Sequence, residues 1–318
     1  MSSRYLITGA TGYVGSMLVR HLQERGEKVV ALVRNLEKAR EMLSEVELLQ
    51  VDLTDDESMR SLRAVPCDYI VHCAAVTASR EMRLHPVEVM RSIVNATQNL
   101  LELARRSQPQ SMVYVSSMEV YGDLDCSDGH RAQEEEAGQG IVDVLASRSC
   151  YPLGKRAAEN ICAGYAQEYG VPVKIARLAQ TFGQGVLPGD RRVFAQFARS
   201  AIRGEDIVLH TTGRSMGNYC AIEDVIAGLL IILEKGCSGE AYNVVNEDNT
   251  MPIREMAELA ADVLSGGRSR VAVDISPDNR YGYAADTGVR LSSEKLRALG
   301  WKPSKDLRQM FLDMVEVM

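Results

Sequence analysis

Tyr151 and Lys155 stand four residues apart in Tyr151-Pro152-Leu153-Gly154-Lys155. On a helix that spacing puts a phenol and an ammonium on one face. A phenol of pKa ~10 is a poor base at neutral pH, but a close ammonium, together with the positive ring of a nicotinamide, stabilises the phenolate and lowers that value. Taken alone, a Y-x-x-x-K match is weak, because chance pairs arise easily in a chain with 12 tyrosines. Order gives it weight. It follows an apolar run that ends in the hydroxyls of Val115-Ser116-Ser117, and both follow a glycine-rich turn near the N-terminus.

That turn is Thr8-Gly9-Ala10-Thr11-Gly12-Tyr13-Val14-Gly15, placed between a strand pattern and a helix pattern. This is the context in which glycines bind a dinucleotide. Gly9 permits the tight turn, Gly12 lets backbone N–H groups approach a pyrophosphate, and Gly15 lets the helix lie close on the strand with its positive end toward the anion. The next strand closes with Val33-Arg34-Asn35, where an acidic side chain would chelate the ribose hydroxyls of NAD. Arg34 in that place, with Lys38 one turn on, favours NADP, because a fork of donors fits a 2'-phosphate. The alternative is a surface arginine with NAD held through other contacts. Asp52 and Leu53, just past the third strand, are placed to meet the adenine edge.

These groups need a frame. Tyr5-Leu6-Ile7, Val29 to Val33, Val46 to Val51, Tyr69-Ile70-Val71 and Met112 to Val115 read as buried strands alternating with helical patterns. The alternation predicts an α/β fold, a Rossmann-type doubly wound parallel sheet with helices on both faces. Helices are predicted from Pro86 to Arg106 and from Tyr151 to Tyr169, the second stopped by Gly170 and Pro172. Between them the polar stretch from Asp123 to Ser147 is either the border of a ligand cleft or a plain surface loop. After Arg177 the pattern changes to glycine-rich loops with helices at Phe194 to Arg203, Glu223 to Glu234 and Arg254 to Leu264. Residues 1–176 thus read as the dinucleotide-binding domain and 177–318 mainly as a smaller substrate-binding lobe on the sheet's carboxyl edge, with an interleaved boundary.

Composition closes off other classes. The 36 basic and 43 acidic residues give a net charge of -7 with no basic block, so nucleic acid is not an expected partner. The acidic run Glu134 to Glu136 reads as a solvated loop. Seven cysteines without a C-x-x-C pair read as reduced thiols, and neither a disulfide framework nor a metal site is expected. No run of about 18 apolar residues and no signal-type leader occurs, so the reading is cytoplasmic with no membrane contact.

The chain resembles the extended short-chain dehydrogenase/reductase superfamily, in its nucleotide-sugar epimerase/dehydratase group. The resemblance runs nearly end to end. It is carried by the glycine turn, His72-Cys73-Ala74-Ala75, Ser116-Ser117-Met118-Glu119-Val120-Tyr121-Gly122, Arg148-Ser149-Cys150-Tyr151 with Lys155, Arg177-Leu178-Ala179-Gln180-Thr181-Phe182-Gly183 and Leu299-Gly300-Trp301-Lys302-Pro303. Arg148 to Glu159 is similar to UDP-glucuronate decarboxylases.

The resemblance implies a catalytic triad of Ser117, Tyr151 and Lys155 acting at the 4-hydroxyl of a nucleotide-activated sugar, and a 4-keto intermediate that opens the way to epimerisation or to C5/C6 chemistry. It implies cofactor contacts from Gly9, Thr11, Gly12, Tyr13, Val14 and Gly15, then from Arg34, Asp52 and Leu53. Further contacts come from Cys73, Ala74 and Ala75, and from Tyr151, Lys155 and Leu178. Substrate contacts are implied at Ser117, Met118, Glu119, Gln180, Arg192 and Asn218. Dehydratases of this group carry an Asp-Glu pair in the places of Met118 and Glu119. Met118 cannot donate the proton that expels water, while Glu119 is either a base at C5 or a carboxylate ordering the loop. Gln180 replaces a common asparagine, Gly217 stands where many relatives have a diphosphate-binding arginine, and Arg192 aligns with another such arginine.

A homodimer through the two long helices is the implied assembly. Two other readings stay open: an NADP-dependent carbonyl reductase, which needs no Glu119, and a non-catalytic NAD(P)-sensing protein, which could dispense with the tyrosine and lysine that this chain keeps.

Overall fold

A computed structural model describes residues 2–62, 64–187, 189–275 and 286–315. The first half runs β1 (Arg4–Thr8), α1 (Tyr13–Glu24), β2 (Lys28–Val33), α2 (Leu36–Met42), β3 (Glu47–Gln50), α3 (Asp56–Ser61), β4 (Tyr69–His72), α4 (Ser79–Leu84), α5 (Pro86–Ser107) and β5 (Ser111–Ser117). The second continues with α6 (Cys150–Tyr169), β6 (Val173–Leu178), β7 (Gln180–Phe182), α7 (Val193–Arg203), β8 (Ile207–Leu209), β9 (Met216–Ala221) and α8 (Ile222–Lys235). It closes with β10 (Ala241–Val244), β11 (Asn246–Pro252), α9 (Ile253–Ser265), β12 (Val271–Val273), α10 (Glu294–Ala298) and α11 (Leu307–Val315).

Seven strands form one sheet in the order β10-β6-β5-β4-β1-β2-β3, and every pairing in it is parallel. Successive residues of each central strand face opposite sides, as strand geometry requires. Leu6, Val30, Ile70 and Met112 pack with Val89 and Ile93 of α5 and Ala158 of α6. Their neighbours Ile7, Ala31, Val71 and Val113 pack with Leu18 and Leu22 of α1 and Val225 and Leu229 of α8. With both faces covered, the centres of β1, β2, β4 and β5 carry apolar residues in succession, which is why they were legible as short apolar runs. The chain order reverses between β1 and β4, so the crevice at the carboxyl ends of those two strands is the natural ligand position.

The helix readings hold to within a residue or two, because their stop signals are real. Proline opens α5, and α6 ends at Gly170 in the left-handed conformation. The loop-and-helix reading after Arg177 needs correction. That half also supplies β7, β9 and β11 as a three-stranded sheet, β8 and β12 as a two-stranded one, and β10 as the edge of the main sheet. Strand β6 was hidden by its charges: in Val-Lys-Ile-Ala-Arg-Leu all six residues are buried. Lys174 donates to Ser111 Oγ at 2.6 Å and Arg177 pairs with Glu159. Buried and paired cations break a hydropathy pattern without breaking a strand.

The acidic run is a second correction. Glu134 is 5% exposed, and its Oε1 accepts from the backbone N of Asn243 in β10 at 2.7 Å. The 123–147 stretch is therefore anchored inward, also by a bridge between Ala132 and Leu291. All seven cysteines are free thiols, and no helix among the described residues is long and apolar enough to cross a membrane.

Candidate active site

The glycine turn closes the gap between β1 and α1 under tight constraint. Gly9 has φ +68°, and a Cβ there would lie 2.7 Å from Ala74 N and from the Cys73 carbonyl carbon, at the end of β4. At Gly15 a Cβ would lie 2.2 Å from Gly9 O. Both positions need glycine for the fold itself. Gly12 differs: it is exposed, its φ is -89°, and a Cβ would meet only Gly9 O, at 3.2 Å. No side chain caps α1, so its first-turn N–H groups and positive end face outward, as an anion site requires. The residues present fit a dinucleotide pyrophosphate. Thr11 and Val14 flank the turn half-buried, while Tyr13 is buried and donates to Gln184 O at 2.9 Å.

Around this turn lie the other expected cofactor residues. Arg34 and Lys38 are exposed past the end of β2. Asp52 accepts from Thr54 N at 2.9 Å and from Thr54 Oγ1 at 2.7 Å. Burial would raise its pKa, but the Thr54 hydrogen bonds and the Arg34 charge outweigh burial and hold the carboxyl below its ordinary range. Leu53 is half-buried, its carbonyl taken by Asn99 Nδ2 at 3.0 Å. Cys73, Ala74 and Ala75 line the end of β4, half-buried. The Cys73 thiol is pushed up to about 12 by burial, with Lys155 opposing. His72, just before them, is wedged between Thr8 Oγ1 at 2.7 Å and Thr97 Oγ1 at 3.1 Å. Burial and the Lys155 charge push it down to about 3, so it is neutral.

Ser117 ends β5 directly opposite the buried Leu178 of β6, and its Oγ accepts from Glu119 N at 3.3 Å. Tyr151 and Lys155, on the first turns of α6, are 7% and 2% exposed. Lys155 Nζ donates to Val115 O at 2.7 Å and stands 4.7 Å from the Tyr114 ring centre and 5.9 Å from that of Tyr151. Burial pushes Lys155 down to about 8, and the nearby Glu159 charge is the first influence opposing it. Without the positive nicotinamide ring, Lys155 is not among the groups that set the Tyr151 phenol. Burial and then the Glu119 charge raise the phenol's pKa, while the Ser117 hydroxyl, Arg148 and Arg192 pull it down less strongly. The ammonium is turned to a backbone carbonyl, not to the phenol oxygen.

Glu119 is held by a residue to which the sequence reading gave no role. Arg148 donates to Oε1 at 2.8 Å and to Oε2 at 2.9 Å, a two-point clamp. The two side chains are 39% and 31% exposed, open on one side. The available signal was position: Arg148 lies three residues before Tyr151, one turn away. Met118 lies half-buried beside the pair.

The expected substrate residues separate. Gln180 is exposed at the start of β7. Arg192, at the start of α7, pairs with Asp190 at 2.6 Å and donates to Thr181 O at 3.1 Å, so its guanidinium is already engaged. Asn218 is fully buried. Its Nδ2 donates to Val289 O at 2.8 Å and its Oδ1 accepts from Leu291 N at 2.9 Å. The expected substrate contact at Asn218 is not made by this arrangement, because the side chain is fully buried and ties β9 to the C-terminal segment. Gly217 has no room for an arginine in this arrangement, since a Cβ would lie 2.1 Å from the Tyr219 hydroxyl.

Residues 5–245 match the family described as the NAD dependent epimerase/dehydratase family. Among curated proteins the chain is similar to UDP-glucuronic acid decarboxylase 3 of Arabidopsis thaliana, 28% identical over 313 residues that cover 96% of this chain and 86% of the relative. Among solved structures it is similar to the UDP-glucose 4-epimerase of Thermotoga maritima, with a TM-score of 0.82, 21% identity and coverage of 98% of this chain and 97% of the other. The UDP-glucose 4-epimerase of Thermus thermophilus in complex with NAD gives a TM-score of 0.81 at 25% identity, covering 98% of each chain.

Proposed function

We propose, because the chain belongs to the NAD-dependent epimerase/dehydratase family, that it is an oxidoreductase acting on a nucleotide-activated sugar through a 4-keto intermediate. The observation that carries this reading is the convergence of Ser117, Tyr151 and Lys155 at the sheet's carboxyl edge, beside a glycine turn that fits a dinucleotide. The bound dinucleotide supplies a hydride acceptor and donor, held at Gly9 to Gly15 with Cys73, Ala74, Ala75 and Leu178 around it. Tyr151 takes the proton of the sugar's 4-hydroxyl and later returns it, Ser117 hydrogen-bonds the same oxygen, and Lys155 orients the nicotinamide ribose.

Beside the phenol, Arg148 holds the Glu119 carboxylate by two points and offsets its charge. Glu119 then stands as a base for reactions that remove the C5 proton; loss of CO2 from a 4-keto uronate needs none, because the C5–C6 electron pair passes into the C4 enolate and C5 takes up a proton afterwards. Met118 cannot protonate a leaving hydroxyl, which counts against dehydration. The relatives named UDP-glucuronic acid decarboxylases support C5/C6 chemistry on a uronate as the preferred outcome.

The second reading is an NADP-dependent carbonyl reductase, favoured by Arg34, which is exposed and makes no ion pair among the described residues. One panel tests both. The protein is mixed with NAD or NADP and with UDP-glucuronate, UDP-glucose or dTDP-glucose, following absorbance and product mass. A product lacking CO2 with no net change in reduced cofactor is expected, with the NADP reaction saturating at the lower concentration. Net NADPH oxidation by a simple ketone, with every sugar inert, overturns the sugar reading, and tighter binding of NAD overturns the cofactor preference.

We also place a homodimer on α5 and α6. On these helices Val87 is exposed and Val94 and Leu153 are half-buried, beside exposed Arg91 and Asn95; a stable dimer contact buries about 1,200 to 2,000 Å². Light scattering should give twice the 35.0 kDa chain mass. A monomer at micromolar concentration sinks it.

A further inference from the structure

Two successive turns of α6 grip two successive residues of β5. Lys155 Nζ donates to Val115 O at 2.7 Å, and one turn on, Glu159 Oε1 accepts from Ser116 Oγ at 2.5 Å. Ser117, the next residue, faces the site. Glu159 is only 8% exposed, and its carboxylate is held from the other side by Arg177, whose Nη2 donates to Oε2 at 2.7 Å and whose Nε donates at 3.1 Å to both oxygens. Arg177 lies directly opposite Ser116 in the β5–β6 register. Its Nη1 is fixed by Glu134 O at 2.6 Å and the Tyr121 hydroxyl at 3.2 Å. A buried ion pair is a poor way to gain stability, because desolvation of both charges offsets their attraction. This one sits against the residues that the proposed chemistry uses.

We propose that Glu159 is a positioning residue for Lys155: it locks α6 in register against the end of β5 and keeps the buried ammonium charged. The inference rests on the enzymatic reading only for its consequence in turnover. Lys155 faces Tyr151, Glu159 and Cys162 of its own helix, the Tyr114 ring and Val115 carbonyl of β5, and His72 and Cys73 at the end of β4. Of these groups, Glu159 alone is a carboxylate. His72 is neutral and the Cys73 thiol is protonated near neutral pH, so neither compensates for its loss. Burial brings the lysine down to about 8 even with the Glu159 charge opposing it. Without that charge the proton is lost at lower pH.

The test is a pH titration of Lys155 in protein carrying 13Cε-labelled lysine, its signal identified by disappearance in Lys155→Arg. Glu159→Gln removes the charge. Because it leaves Arg177 buried without a charged partner, Glu159→Gln/Arg177→Gln, which removes both charges of the ion pair, is titrated as well. The Lys155 midpoint should fall by roughly one unit or more in both. The alkaline limb of turnover on UDP-glucuronate should move to lower pH by the same amount. A merely structural role would lower the melting temperature and leave both midpoints where they were. An unmoved Lys155 midpoint in either folded variant overturns the proposal. A wild-type chain inert toward every sugar sinks the enzymatic reading instead, and the lysine titration remains readable in that case.

Discussion

Replacing Tyr151 by phenylalanine should lower turnover by about 10² to 10⁴, the usual cost of losing one general acid/base, while the fold and cofactor affinity change little. The ring sits in a slot that leaves it 7% exposed, so phenylalanine keeps the packing and removes only the hydroxyl. Lys155 keeps its hydrogen bond to Val115 O and its place over the Tyr114 ring, so the cofactor side of the site is undisturbed. Lys155→Ala should impair binding and turnover together, because the ammonium serves both. Ser117→Ala should fall between, losing one positioning hydrogen bond and the cap on Glu119 N. Steady-state rates and fluorescence titration of cofactor separate the three. Full turnover by Tyr151→Phe on the true substrate would end the mechanistic reading.

Gly12→Val should cost at least about 10² in dinucleotide affinity, or roughly 2.7 kcal/mol, with the fold retained. The reasoning is local. The backbone at Gly12 has φ -89° and ψ 170°, which valine accepts, and inside the protein a Cβ meets only Gly9 O, at 3.2 Å. The isopropyl group would fill the space in front of the α1 N-terminus, where the pyrophosphate must approach. Gly9→Val and Gly15→Val should behave differently. The first puts a branched side chain at φ +68° and 2.7 Å from β4 backbone, the second drives a Cβ to 2.2 Å from Gly9 O, and both should lower the melting temperature. Calorimetric titration beside thermal melting distinguishes lost binding from lost fold. Undiminished affinity in a folded Gly12→Val protein would remove the turn from the cofactor site.

Much of the frame and part of the site could be read from residue order alone. Apolar runs for β1 to β5, the proline that opens α5 and the glycine that ends α6 act within one or two turns of chain, so their consequences are local and legible. The glycine turn was legible for the same reason: a left-handed φ and close approaches select glycine wherever they occur. What escaped depends on partners far away in sequence. Strand β6 carries Lys174 and Arg177, and its burial makes sense only once Ser111 and Glu159 are beside them. Glu134 looks like solvated charge until β10 brings Asn243 N against it. Asn218 looks available until residues 289–291 consume its amide.

The same division runs through the chemistry. The four-residue spacing of Tyr151 and Lys155 follows from helical periodicity, and sequence determines it. Whether the phenol is acidified is a matter of burial and of the charges around it. Burial raises the phenol, Glu119 raises it further, Arg148 partly offsets Glu119, and the ammonium turns to a strand carbonyl. Periodicity is a property of neighbours along the chain, whereas desolvation and pairing belong to neighbours in space, and those only the tertiary structure decides.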